Sequence, residues 1–271
     1  ILGREDLDGV WNLSLVGKMI SANVEYGKSE QIKQLPGVAD VVLEQQYEPA
    51  ASENTVQPNM EISTGMTGTT TAWSTGYTGA GMRIAIIDTG LDTSHQSFDN
   101  GAYEYALEQN AARAKESVEA YKASLDLLDA DEINEKLSLL HIKEGVSAAD
   151  LYRTEKVAYG YCYIDKDLDV THETDTEGEH GSDVAGIAAA NRYLPEGIGV
   201  YVSALDSVHM HGAAPDAQVL VMKVFGDEGG AYDSDYTAAI EDAIVLAADT
   251  INLSLGSASP GPSKARTEAY Q

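Results

Sequence analysis

The stretch MRIAIIDTG, Met82 to Gly90, is an apolar, largely β-branched run that ends at Asp88, Thr89 and Gly90. A strand without polar alternation has no face to offer to water, so it belongs in a parallel sheet covered on both sides. Further along, runs of the same kind alternate with helical spacing: VAYGYCYI, then the helix of HGSDVAGIAAAN, then AQVLVMKVF, then a helix near Ser234 to Ala248, then TINLSLGS. In that later helix Tyr236, Ala239, Ile240, Ala243, Ile244 and Ala247 fall on one face, and Asp233 or Ser234 supplies a cap. Strand, helix, strand in this order implies right-handed crossovers and an α/β fold with a doubly wound parallel sheet. Function in such sheets gathers at the carboxyl ends of strands, where Asp88 and the segment Ser254 to Ser257 sit.

Other regions carry weaker patterns. Residues 10–26 alternate well enough for one or two strands, and KSEQIKQLPGVADVVLEQQY reads as a short helix, a Pro36-Gly37 turn and another strand. Together they predict a small α+β unit. Residues 49–80, rich in Pro, Ser, Thr, Gly and Asn, read as a linker merging into loops. Between about 102 and 152 the composition shifts to Ala, Glu, Lys, Leu and Tyr with helical spacing, which looks like an insert with a solvated charged face.

With 44 acidic and 17 basic residues the net charge is −27, which excludes nucleic acid as a partner and disfavours anionic membranes. No apolar run is long enough to span a bilayer. The single cysteine, Cys162, cannot form a disulfide within the chain and lies in what reads as a buried strand, where a thiol is inert.

Three chemistries can be weighed against these residues. A dinucleotide site fails, because the glycines of TGAGMRIAII precede their strand and the glycine-rich loop VFGDEGGAYDS carries Asp227, Glu228, Asp233 and Asp235. For a metal, HETDTEGEH and DKDLD offer many carboxylates but neither a His-Glu-x-x-His pair nor an EF-hand spacing. A loosely held structural calcium ion and a solvated acidic loop both remain open readings there. The third chemistry is a nucleophile triad. An Asp at a strand end fixes the tautomer of an imidazole, and a His opening a helix of small residues removes a hydroxyl proton. Asp88 and His180 fit those two roles, and the bland alternative for His180 is a residue flanking a helix start whose first turn holds Asp183.

Four segments in order, RIAIIDTGLDTSHQSF, HGSDVAGIAA, GAAPDAQVLVMKVF and INLSLGS, resemble the subtilisin-like serine proteases, the subtilases. The resemblance implies a serine endopeptidase of extracellular proteins, secreted or associated with the cell wall, with no cofactor required for the chemistry. By the same resemblance Asp88 orients, His180 is the general base, and Ser254, Leu255, Gly256 and Ser257 form the strand that pairs with an extended substrate. The long insert, with VAYGYCYIDKD before the histidine, looks most like the lactocepin-like cell-envelope proteinases. Residues 10–48, through LPGVADVVLEQQY, are similar to the end of a subtilase propeptide, which implies units over 1–57 and 58–271 and a maturation point within 49–60.

The sequence departs from that pattern in two places. Asp183 stands where most of the family has a second histidine, and its charge favours protonated His180 if the two side chains are close. By the same resemblance a Gly-Thr-Ser nucleophile motif and an oxyanion asparagine upstream of it are expected, and neither occurs before Gln271, which implies a catalytic domain truncated on its C-terminal side and a protein partner in its own continuation. The rival expectation is a non-catalytic homologue that only binds peptides or acts through its inhibitor-like first unit.

Overall fold

The computed structural model describes residues 9–25, 27–49, 60–173, 175–226 and 229–256. An antiparallel hairpin, β1 (Gly9–Leu13) and β2 (Met19–Ala22), is followed by α1 (Ser29–Lys33) and β3 (Gln46–Pro49). Helices α2 (Met60–Thr67) and α3 (Thr69–Ser74) lead into β4 (Arg83–Asp88). The insert folds as α4 (Asn100–Ala114), α5 (Val118–Ala123), α6 (Ala130–Lys136) and α7 (Ala148–Leu151) before β5 (Val157–Cys162). Then come α8 (His180–Ala189), the hairpin β6 (Tyr193–Gly197) and β7 (Val200–Ser203), α9 (Ala204–Val208) and β8 (Gln218–Lys223). The described chain closes with β9 (Ala231–Tyr232), α10 (Asp233–Val245), β10 (Thr250–Leu253) and β11 (Leu255–Gly256).

Four strands form the expected parallel sheet, in the order β10-β4-β8-β5. Every residue of β4, β5 and β8 is buried. Side chains alternate across a strand, so each of these strands feeds two cores. Ala85 and Ile87 of β4 meet Leu220 and Met222 on one face, under Ala238, Ala239 and Ala243 of α10 and Leu128, Ile133 and Leu151 of the insert. Ile84 and Ile86 meet Val219 and Val221 on the other, under Ala185 and Ala189 of α8. Helices therefore cover both faces, and β4 and β8 lie inside.

Several expectations give way in detail. The region read as linker and loop holds α2 and α3, separated by Gly68 at a φ of 80° and held by Trp73, whose indole donates to the Ala213 carbonyl at 2.9 Å. Its threonines and serines hide a short helical run. The long helical run of the insert breaks at Lys115, which takes a left-handed conformation, and restarts where the Ser117 hydroxyl caps α5. On α10, Tyr232 and not Asp233 or Ser234 holds the cap position, and the buried face includes Glu241 and Asp242 while Ile244 is exposed. Those two acids are satisfied by the chain that crosses the helix. Of the strand expected before Tyr47, only Gln46–Pro49 forms one, because the Gln45 N–H is taken by the Asp233 carboxylate at 2.8 Å.

The N-terminal hairpin is fastened to α10 by ionisable groups. The wholly buried Glu241 carboxylate accepts from the backbone N–H groups of Ser14, Leu15 and Val16 at 3.1, 2.6 and 2.8 Å. His141 bridges Asp242 at 2.7 Å through Nδ1 and the Asn12 carbonyl at 3.1 Å through Nε2, with Glu241 Oε2 at 3.3 Å. Burial opposes its charge, but the Asp242 carboxylate and the other acceptors outweigh that, so its pKa lies above the ordinary 6.5. A raised folded-state pKa gives stability that is fully present below about pH 6.5 and lost as pH rises through the folded value. Urea titrations from pH 6 to 9 should therefore show stability falling with pH, and His141→Gln should flatten that fall; an unchanged slope would count against the bridge.

Candidate active site

Asp88 is the last residue of β4, at the carboxyl edge of the sheet, and is 1% exposed. His180 is the first residue of α8. Strand and helix meet through backbone, with almost no side chain between them. A Cβ at Gly181 would lie 2.3 Å from the Gly90 carbonyl oxygen and 3.2 Å from the Asp88 Cβ. Gly90 itself has φ of 111°, and a Cβ there would lie 2.4 Å from the Val170 carbonyl oxygen. Both positions therefore require glycine. Thr89 completes the junction, its hydroxyl accepting from the Gly181 N–H at 2.9 Å and donating to the Gly178 carbonyl at 3.1 Å.

This junction brings the Asp88 Oδ1 to 2.7 Å from the His180 Nδ1, and the same oxygen accepts from the Thr89 N–H at 2.8 Å. Burial pushes the Asp88 carboxyl above the ordinary carboxylate range, while the bonds from His180 and Thr89 pull it back. With Nδ1–H donating to the carboxylate, Nε2 is the basic nitrogen of the ring, and the His180 side chain keeps 21% of its surface exposed.

Neighbouring candidates separate cleanly. Ser182 is turned away from the imidazole: its oxygen accepts from the Asp92 N–H at 2.9 Å and lies 2.8 Å from His172 Nε2. Asp183 is exposed, and among the described residues no ion pair joins it to His180. Burial pushes the Cys162 thiol far up and leaves it inert. Of the acidic loop, Asp169 accepts from Thr171 and Asp175 pairs with Lys223; among the described residues no three His, Cys, Asp or Glu side chains converge on a metal-sized site.

Of the expected substrate strand, β11 (Leu255–Gly256) forms and pairs with a segment of the chain's own N-terminal region, with Ser254 just before it. Leu255 and Gly256 of β11 lie antiparallel to Pro49 and Glu48, and β9 pairs on the far side, Ala231 with Tyr47 and Tyr232 with Gln46. Residues 46–49 thus lie as a middle strand between two walls. Ser254 donates to the Asn252 side chain at 2.9 Å, and Ser257 lies outside the described residues. Sequence reasoning missed β9 as the second wall, because the glycine-rich loop before it was weighed only for phosphate. It also missed Thr89, although its place between Asp88 and Gly90 was visible.

A model of the subtilase family matches residues 79–271. The chain belongs to the subtilase family. It is 29% identical over 233 residues to a PII-type proteinase of Lacticaseibacillus paracasei, covering 84% of this chain and 10% of that protein. It is 28% identical over 223 residues to the minor extracellular protease Vpr of Bacillus subtilis, covering 80% and 19%. A C5a peptidase of Streptococcus pyogenes is 29% identical over 185 residues, covering 66% and 12%. The chain spans about a tenth of the length of the first of these relatives.

The subtilase junction makes a direct forecast. Gly181→Ala should force the start of α8 away from β4 and cost about 3 kcal/mol or more, since backbone and not a flexible side chain blocks the methyl. Nitrogen-15 spectra of the His180 ring should show the Nδ1–H form in the native chain and lose that preference in Asp88→Asn. An unchanged tautomer would remove Asp88 from its orienting role.

Proposed function

We propose that this chain is part of an extracellular, subtilisin-like serine endopeptidase in which Asp88 orients His180 and His180 is the general base. The observation that carries the reading is the 2.7 Å contact between the buried Asp88 carboxylate and a helix-start imidazole whose other nitrogen is left basic. In the reaction His180 Nε2 takes a serine hydroxyl proton as the hydroxyl oxygen bonds to the scissile carbonyl carbon. It then gives that proton to the departing amine, and water cleaves the resulting acyl ester with His180 as base again. Asp88 stays ionised and stabilises the imidazolium.

The serine is read as lying outside residues 1–271. Neither Ser182 nor Ser254 has its hydroxyl on the imidazole. The β10 edge of the parallel sheet carries Ile251 and Leu253 at 36% and 40% exposure, a surface suited to further strands. Residues 1–57 are read as a propeptide-like inhibitor whose tail lies in the cleft, 58–271 as the N-terminal part of the catalytic domain, and 49–60 as the region of maturation. Support comes from β3, held between β9 and β11 by backbone pairing as an extended substrate strand would be. Ser254, Leu255, Gly256 and Ser257 are then the substrate strand, and the substrates are extracellular proteins.

A fluorophosphonate reagent tests this. It should leave the 271-residue chain unlabelled, and label a single serine beyond Gln271 in the whole protein. In the labelled protein Asp88→Asn should lower kcat by about 10⁴-fold. Rapid labelling of a serine within residues 1–271 would show that the nucleophile is misplaced, and a whole protein that binds peptides without labelling would favour a non-catalytic homologue.

A further inference from the structure

The strand lodged in the cleft shows what one position of the cleft holds. Backbone pairing of β3 with β9 and β11 is indifferent to sequence, so selection falls to side chains. Tyr47 packs its ring against Tyr236 of α10, centroids 5.5 Å apart and planes at 87°, and both rings join the apolar core that includes Leu255. Its hydroxyl donates to Asp233 Oδ1 at 2.9 Å. Tyr236 donates to the same oxygen at 2.9 Å, and the Gln45 N–H donates to Oδ2 at 2.8 Å. Burial and the Asp233 charge keep the Tyr236 phenol protonated, so it remains a donor. Asp233 therefore gathers a phenol of the cleft wall, a phenol of the bound strand and a backbone N–H.

We propose that Asp233 is a specificity-determining residue of the cleft, selecting a hydroxylated aromatic side chain, tyrosine, at the substrate position that Tyr47 occupies. That position lies two residues before the one paired with Leu255. The inference rests on the reading of the cleft as a peptide-substrate cleft. A phenylalanine there keeps the ring contact but leaves the half-buried carboxylate short of a donor; a leucine loses both. The acid does not touch the reacting atoms, and its effect is on which strand is held.

The test uses the whole protein and internally quenched peptides in which Tyr, Phe, Leu or Arg is moved through each position upstream of the cleaved bond. At one position kcat/KM should favour Tyr over Phe by about tenfold, the cost of a missing donor to a partly buried charge. Asp233→Ala should bring that ratio close to one. Equal rates for Tyr and Phe at every position overturn the inference while leaving the peptidase reading intact, and so does a preference for Arg over Tyr, which would make Asp233 a charge selector. If no peptide is cleaved and no serine labels, the peptidase reading fails instead. Hydrogen exchange of the 45–48 amides in the 271-residue chain then decides. Tyr47→Phe should speed exchange by about tenfold in the native background and have little further effect once Asp233 is Ala. No change in Tyr47→Phe, or fully additive effects, overturns it.

Discussion

The site depends on how closely one strand end and one helix start can approach. Asp88 and His180 are 92 residues apart in sequence, and their side chains meet because no side chain separates their backbones. Glycine at 90 and 181 lets the Gly90 carbonyl sit where a Cβ would be, and Thr89 ties the two backbones together through its hydroxyl. The rest of the fold serves that approach. Buried strands make β4 rigid along its length, and the alanines of α8 let it settle onto the face formed by Ile84, Ile86, Val219 and Val221. An acid fixed this way has already met the entropic cost of orientation before any substrate arrives.

A second constraint is electrostatic. The chain carries a net charge of −27, yet its N-terminal region is held by acids, of which Glu241 and Asp235 are buried and Glu44 is exposed. Glu241 accepts from three successive backbone N–H groups, Asp235 accepts from the Trp11 indole at 2.7 Å, and Glu44 accepts from the Ser234 N–H at the start of α10 at 2.9 Å. Burial pushes Asp235 up to about 6. In each case an acid on one side of the contact meets a donor on the other, so the N-terminal hairpin, the β3 tail and α10 depend on one another. Removing a partner would leave a buried donor or charge unpaired, and unpaired buried groups are what make such contacts costly to break.

Much of this was legible in the sequence because it is periodic or chemically singular. The unalternating run at 83–88 announced a strand buried on both faces, and the small residues after His180 announced a helix packed close to something. Asp88 and His180 stood out because few structural roles need an acid and an imidazole at those two kinds of position. What escaped reading depends on distant partners. The helices at 60–74 are polar and held by tertiary contacts such as that of Trp73 with Ala213. Glu241 and Asp242 look like solvent-facing residues until the chain from Asn12 to Val16 and His141 cover them. The strand on the far side of β3, β9, is two residues long, too short for any period to register.

The central claim is that His180, set by Asp88, faces the reacting bond of a peptide held along β11. Affinity alkylation tests it most directly. A peptide chloromethyl ketone with tyrosine upstream, added to the whole protein, should inactivate it and place one alkyl group on Nε2 of His180, as read by mass spectrometry of the digest. Alkylation of another histidine with His180 untouched, or inactivation that leaves every histidine unmodified, would contradict it.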